Sequence, residues 1–214
     1  QHTELFENVV QGTKGKVGCL QLRGEYMFVA EGKGGFQAYD VASIGNKGFS
    51  ERIITAPFSK LGHDTKVSSP NATCVALSTT QPISYKRNVD IRRDIPENQE
   101  QAMHPLYQYA VVSDSVDGMI LVDIDGLNDG EFRNNFFKRA LTWNPDGVLN
   151  GARHVHLAGH IAYFTTANGL AVVDLNDPMK PVLKANIALS DARASAIQFR
   201  YLWVSVADGV KLFD

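Results

Sequence analysis

The residues with the most evident chemical potential are the histidines of RHVHLAGH, residues 153–160. His154 and His156 are two apart, which places them on one face of a strand. His160 follows Gly159 and could fold back beside them. Three imidazoles brought together could hold zinc, copper or nickel, so His154, His156 and His160 are candidate metal ligands. The same pattern also suits a strand whose histidines hydrogen-bond to their neighbours or face a partner. A second concentration is acidic: VDIDGLNDGE, residues 122–131, holds Asp123, Asp125, Asp129 and Glu131. Carboxylates at that density can bind calcium, although the glycine and the final acid are not placed as in an EF-hand loop. Asp, Asn and Gly also form turns on their own account.

Other patterns carry less. GKGG, residues 32–35, lies between two strand-like segments with no helix start to supply a cradle of amides, so it is not a phosphate loop. YKRNVDIRRD contains Lys86, Arg87, Arg92 and Arg93, a basic run that fits either an acidic partner surface or a solvated loop. The sequence has no G-x-S-x-G, and no local arrangement of Ser and His singles out a triad. Its two cysteines, Cys19 and Cys74, are far apart and outside any C-x-x-C. That excludes a cysteine-based zinc site and a C-x-x-C-H haem attachment within this sequence. Both lie in apolar, strand-like stretches and read as buried thiols, with a disulfide between them left open.

The elements that must position these groups repeat. GFQAYD (35–40), GMILVD (118–123), GLAVVD (169–174) and GVKLFD (209–214) each run from Gly to Asp in five steps. A strand-like segment precedes each, so every copy reads as strand, tight turn, strand, Asp. The glycine suits a hairpin turn that needs positive φ. Apolar residues fill nearly every strand position, as expected of strands covered on both faces. The Asp positions are 83, 51 and 40 residues apart. A degenerate copy at residues 72–87, ATCVALSTTQPISYKR, would bring every unit near 40 residues, the length of a four-stranded propeller blade. The expectation is an all-β chain forming one β-propeller domain of four-stranded blades. Its roughly five units would be about 1–40, 41–86, 87–123, 124–174 and 175–214. A β-sandwich of hairpins is the rival, but it does not require the units to resemble one another. Helix signals are weak: residues 95–104 fit a surface insertion, and residues 129–141 a short helix or an irregular strand.

With 214 residues the chain can bury a full core. Lys and Arg total 21 against 23 Asp and Glu, for a net charge of −2. This lacks the basic excess of a nucleic-acid binder. The longest apolar runs are only a few residues, too short for a membrane-spanning helix.

GLAVVDLNDPMKPVLKANI, residues 169–187, resembles the LVIVD repeat, with its strand, Asp, and a Pro-x-x-Pro linker at Pro178 and Pro181. NKGFSERIITAP (46–57), HPLYQYAVVSD (104–114), NNFFKRALTWNPDG (134–147) and IQFRYLWVSVADGVKLFD (197–214) are similar to the propeller region of large bacterial multihaem c-type cytochromes. The resemblance is weak over residues 65–93. In that family the haem-binding motifs lie outside the propeller. It therefore implies a non-catalytic interaction or scaffold module, extracytoplasmic, with no cofactor of its own and with haem c in a neighbouring domain or partner. A propeller histidine against that haem, from the 154–160 cluster or His104, could tune or ligate the iron. The other function class is a metal-dependent hydrolase or lactonase on a propeller scaffold, resting on the histidine and carboxylate clusters.

Gln1 reads as a processed or cut end. Residues 1–40 and 175–214 align as whole units, so Leu5–Val10 could supply the strand that the last blade lacks and close a five-bladed ring. The resemblance favours a longer ring that continues past Asp214.

Overall fold

The computed structural model describes residues 15–40, 66–90, 100–129 and 134–214, together with Asp94, Pro96 and Glu97. Within them, four antiparallel sheets follow one another along the chain. The first holds β1 (Cys19–Arg23), β2 (Tyr26–Ala30), β3 (Phe36–Asp40) and β4 (Lys66–Val67). The second holds β5 (Ala72–Leu77), β6 (Tyr109–Asp114), β7 (Gly118–Asp123) and β8 (Lys138–Trp143). The third holds β9 (His154–Ala158), β10 (Ile161–Thr166), β11 (Gly169–Asp174) and β12 (Val182–Ala188). The fourth holds β13 (Ala194–Gln198), β14 (Tyr201–Val206) and β15 (Gly209–Phe213), with no fourth strand among the described residues. The first strands β1, β5, β9 and β13 stand side by side in chain order, and each sheet packs face-on against the next. This is the propeller arrangement, with each sheet a blade.

The all-β expectation holds, but the unit count does not. There are four blades rather than about five, and they do not close into a ring. The fifth unit was inferred from residues 72–87. Of these, Ala72–Leu77 is β5, the inner strand of the blade whose hairpin is β6–β7, and Tyr85–Asn88 is a 3-10 turn. The long connection between β5 and β6 therefore accounts for part of the 83-residue interval. The stretch 129–141 ends in the strand β8 rather than a helix. Leu5–Val10 and residues 46–57 lie outside the described residues, as do Ile95, Asn98 and Gln99 of the 95–104 insertion.

The hairpin register shows why the repeat exists. Trp203 pairs with Leu212, Tyr163 with Val172, Val111 with Leu121 and Phe28 with Ala38. The turn in the first blade carries one residue more than the last, so Tyr26 corresponds to Tyr201. Side chains alternate across each strand, so every sheet presents one apolar face forward along the chain and another backward. Phe28, Phe36 and Ala38 of the first blade meet Ala110, Val112, Ile120 and Val122 of the second. Val111, Met119 and Leu121 then meet Ala162, Phe164, Ala171 and Val173 of the third. Leu170 of the third, flanked by Tyr163 and Val172, meets Leu202, Val204 and Val206 of the fourth. Each large side chain buried in these joints stabilises the fold by about 1.5–3 kcal/mol relative to exposure.

The expected glycine turns are present at Gly35, Gly118, Gly169 and Gly209, all with φ between 80° and 143°. A Cβ at Gly169 would lie 2.0 Å from the Ile187 carbonyl oxygen on β12, and one at Gly35 2.3 Å from that of Val67 on β4. At Gly209, where the sheet lacks an outer strand, a Cβ would meet nothing within 4 Å. Gly169→Ala is therefore expected to cost about 3 kcal/mol, from backbone strain plus collision, and Gly209→Ala only about 1 kcal/mol, from backbone strain. Chemical denaturation of the two variants checks this; equal losses would contradict it.

Candidate functional site

The inner strands enclose a groove of about 290 Å³ lined by β1, β5 and β9. Strand register puts Cys19, Cys74 and His154 at equivalent positions of the three blades: they pair with Ala30, Ser113 and Thr165, each of which faces the residue just after its hairpin glycine. Gln21, Ala76 and His156 form the next level. The groove is thus where the chain's sulfur chemistry and two of its histidines converge.

Cys19 and Cys74 are joined in a disulfide, with Cα atoms 4.6 Å apart. The reading of two separate thiols is corrected: the chain positions are 55 apart, but adjacent inner strands bring them together. Chain-entropy arguments give a cross-link over a loop of this length about 4 kcal/mol of stabilisation. Both sulfurs are committed to each other, so neither can form the thioether that holds haem c. The residues present therefore do not fit covalent haem attachment in this chain.

His154 and His156 point to a shared strand face, as their spacing predicts. His154 Nδ1 accepts a hydrogen bond from the Ser195 amide at 3.4 Å, linking the third blade to the fourth. Burial lowers both imidazole pKa values below the ordinary 6.5, and each His154 charge would also be repelled by His156. Gln21 reaches across from β1, its Oε1 accepting from the Leu77 amide at 2.9 Å.

His160 is not with them. It lies in the turn between β9 and β10, stacked on His104 with ring centroids 5.8 Å apart and beside a second cavity of about 130 Å³. His104 Nδ1 accepts from the Leu106 amide at 3.1 Å, capping the 3-10 turn Pro105–Gln108. The three histidines singled out by spacing are therefore divided between two sites. Among the described residues no group of three or more His, Cys, Asp or Glu side chains is arranged to hold a metal ion.

The position of His160 has a structural explanation that the repeat supplies. In the second, third and fourth blades the Asp ending the hairpin engages the residue just before the hairpin begins. Asp123 accepts from Gln108 Nε2 at 2.7 Å, Asp174 lies 3.8 Å from His160 Nε2, and Asp214 is bound by Arg200. Asp123 and Asp174 also accept from the amides two residues on, at 3.0 and 2.9 Å, which caps the outgoing turn. The Asn176 amide, together with Lys184 at 3.1 Å, holds the Asp174 carboxyl below its ordinary pKa. Glutamine, histidine and arginine thus occupy one position beside the Asp in the three blades.

The acidic stretch is similarly occupied. Asp125 is buried, accepts from the Ser84 hydroxyl at 2.7 Å and pairs with Lys86 at 3.0 Å. Asp129 accepts from Asn134 Nδ2 at 2.6 Å. Lys86 and Lys138 line the cavity above these carboxylates. Of the basic run, Lys86 and Arg87 sit on the 3-10 turn Tyr85–Asn88, and Arg92 and Arg93 lie outside the described residues. Glu131 also lies outside them.

Sequence reasoning missed Arg23. Its guanidinium is buried and donates to three backbone carbonyls, Gln81, Ile83 and Tyr107, at 2.9, 2.9 and 3.0 Å. Desolvation lowers its pKa to about 10, opposed by the nearby Asp125. Arg23 ties the inner strand of the first blade to the β5–β6 connection of the second. A charged residue at the end of an apolar strand was its one signal.

These features define a β-propeller whose conspicuous polar groups mainly join its blades. The family model of the LVIVD repeat matches residues 151–188, which span β9 to β12 and thus one whole blade. Residues 151–188 are thus similar to one LVIVD repeat, within a chain of β-propeller fold. Among solved structures it is similar to the computationally designed Ika4 protein, at 11% identity and a TM-score of 0.56 over 95% of this chain and 94% of that one. It is equally similar to the designed Ika8 protein, at 11% identity and 0.56, over 95% of this chain but 47% of that one. The extracellular domain of a putative hybrid two-component system, BT4673 from B. thetaiotaomicron, matches at 12% identity and 0.51, over 96% of this chain and 21% of that one. The chain thus spans about half of Ika8 and a fifth of the BT4673 domain. No curated protein sequence matches it significantly. No helix among the described residues is long and apolar enough to cross a membrane.

The groove histidines generate a pH prediction. Their pKa values are lower in the folded chain than in the unfolded chain, so the unfolded chain binds more protons at mildly acidic pH. Stability from this source is fully present above the unfolded value of 6.5 and is lost as pH falls through the folded values. His154→Gln keeps an acceptor for Ser195 and removes the titration. The loss of stability between about pH 7.5 and about pH 5.5 should be smaller in this variant than in the parent. Denaturation curves at the two pH values measure it, and identical losses would refute the assignment.

Proposed function

We propose that this chain is a non-catalytic interaction module that packs against an extracytoplasmic multihaem c-type cytochrome, with haem c held by that partner and none by this chain. The observation that carries the reading is the LVIVD-type blade at residues 151–188, set in a chain whose flanking stretches resemble the propeller region of such cytochromes. The occupied clasps support a binding role over a hydrolytic one. Asp123, Asp125, Asp174 and His160 are engaged in joining strands and blades. Cys19–Cys74 supports an oxidising, extracytoplasmic location, because disulfides persist there and are rare in the cytosol. The stacked His104 and His160, half open to a surface cavity, are the imidazoles best placed to meet a partner's edge.

The test uses the purified chain and the haem domain of a multihaem cytochrome that carries LVIVD repeats. The chain alone is expected to show no Soret absorbance and to co-elute with the haem domain in size-exclusion chromatography. His104→Ala with His160→Ala should weaken that complex by about tenfold, the factor that corresponds to about 1.4 kcal/mol. Covalent haem on the chain itself, or no complex at any concentration tested, would overturn the reading.

A further inference from the structure

The Cys19–Cys74 disulfide lines the groove between the inner strands and is not sealed in the core. Its two halves differ in access. Cys74 is 1% exposed, whereas Cys19 is only partly buried. Cys19 is therefore the half that a molecule entering the groove meets first. A groove of about 290 Å³ admits a small thiol but not a folded domain. The attacking species in thiol–disulfide exchange is a thiolate, so charge along its path matters. None of the residues lining the groove is acidic, and Gln21, His154 and His156 supply its polar wall. An approaching thiolate thus meets no carboxylate to repel it there.

The reduced form is also provided for. The Val75 carbonyl oxygen lies 3.7 Å from Cys19 Sγ and 3.8 Å from Cys74 Sγ. A disulfide sulfur has no proton to give, but a thiol is a weak donor, so either thiol formed by reduction finds an acceptor already in place. Reduction leaves the first blade attached as well. Arg23 still donates to the Gln81, Ile83 and Tyr107 carbonyls beyond β5. Phe28 and Phe36 still share a buried cluster with Ala110, Val112 and Ile120 of the second blade. The covalent tie can therefore open while the joint between the blades persists.

We infer that this groove is a thiol–disulfide exchange site for a small thiol, attacked at Cys19, and that exchange opens and restores the covalent tie between the first and second blades. In the reducing direction a thiolate attacks Cys19 Sγ and forms a mixed disulfide with it. The Cys19–Cys74 bond breaks, and its electron pair leaves on Cys74 Sγ, which takes up the proton that the small thiol gave to water. A second thiolate then attacks the sulfur of the bound thiol. Cys19 Sγ leaves as a thiolate and is protonated in the same way. Two small thiols are thereby oxidised to one disulfide, and the protein disulfide is reduced to two thiols. The reverse sequence, with the small disulfide as oxidant, restores the tie. The inference concerns the groove and is independent of the cytochrome reading.

Glutathione and dithiothreitol, applied to the purified folded chain, are the probes. Reduced glutathione, followed by acid quenching and peptide mass spectrometry, is expected to yield a mixed disulfide on Cys19 with Cys74 as the free thiol. Dithiothreitol should reduce the folded chain within about tenfold of the rate for the chain in denaturant, because access to Cys19 is already open. Circular dichroism should be unchanged after reduction, while the amides of β1 should exchange faster and those of β10 should not. Single-cysteine variants read the access of each sulfur separately. With oxidised glutathione, Cys74→Ser should be modified at Cys19 at least about tenfold faster than Cys19→Ser is modified at Cys74. The inference is overturned if the folded chain is reduced only as fast as it unfolds globally, which would make the bond purely structural. It is also overturned by a mixed disulfide on Cys74, by equal modification of the two variants, by loss of the fold on reduction, or by β1 exchange that reduction leaves unchanged.

Discussion

Each described blade presents apolar residues to the blade beside it, so the blades depend on one another for burial. Hydrophobic burial is the dominant favourable contribution to folding, and in this chain most of it lies between sheets rather than within them. Phe28, Val111 and Tyr163 occupy one position in successive blades and face the next blade in each case. That constraint sets the chain order of the blades, the side-by-side inner strands and the groove between them. It also singles out the exposed face of Trp203, Val210 and Leu212 on the fourth blade among the described residues.

The polar groups serve the same end. Arg23 and the Cys19–Cys74 disulfide both fasten the first blade to the second, one through three carbonyls and one covalently. His154 reaches from the third blade to the backbone of the fourth. The Asp clasps at Gln108, His160 and Arg200 fix the hairpins of the second, third and fourth blades internally. Side chains that look catalytic by type are thus largely joints by position.

The hairpins were legible because Gly and Asp mark both ends of a short apolar strand, and local chain geometry demands the glycine. Blade number was less so. A count by spacing treats the β5–β6 connection as a repeat unit, although it contains 3-10 turns rather than a strand pair. The histidine cluster was misleading for a related reason: residues 154–160 cross from a strand into a turn, so nearness in sequence ends with His160 at the far end of the hairpin. Arg23 was nearly invisible, because its partners are backbone carbonyls 58 to 84 positions away and no side-chain pattern announces them. The exposed Trp203 could be recognised as exceptional only after register tied it to Phe28, Val111 and Tyr163.

Hydrogen exchange resolved by strand measures the neighbour requirement most directly. The account predicts that amides of β6 and β10, central in blades covered on both faces, exchange slowest, and that those of β14 exchange markedly faster although its own sheet pairing is complete. Equal protection of β14 and β10 would contradict it, because sheet hydrogen bonding alone would then account for stability and the covered faces would not.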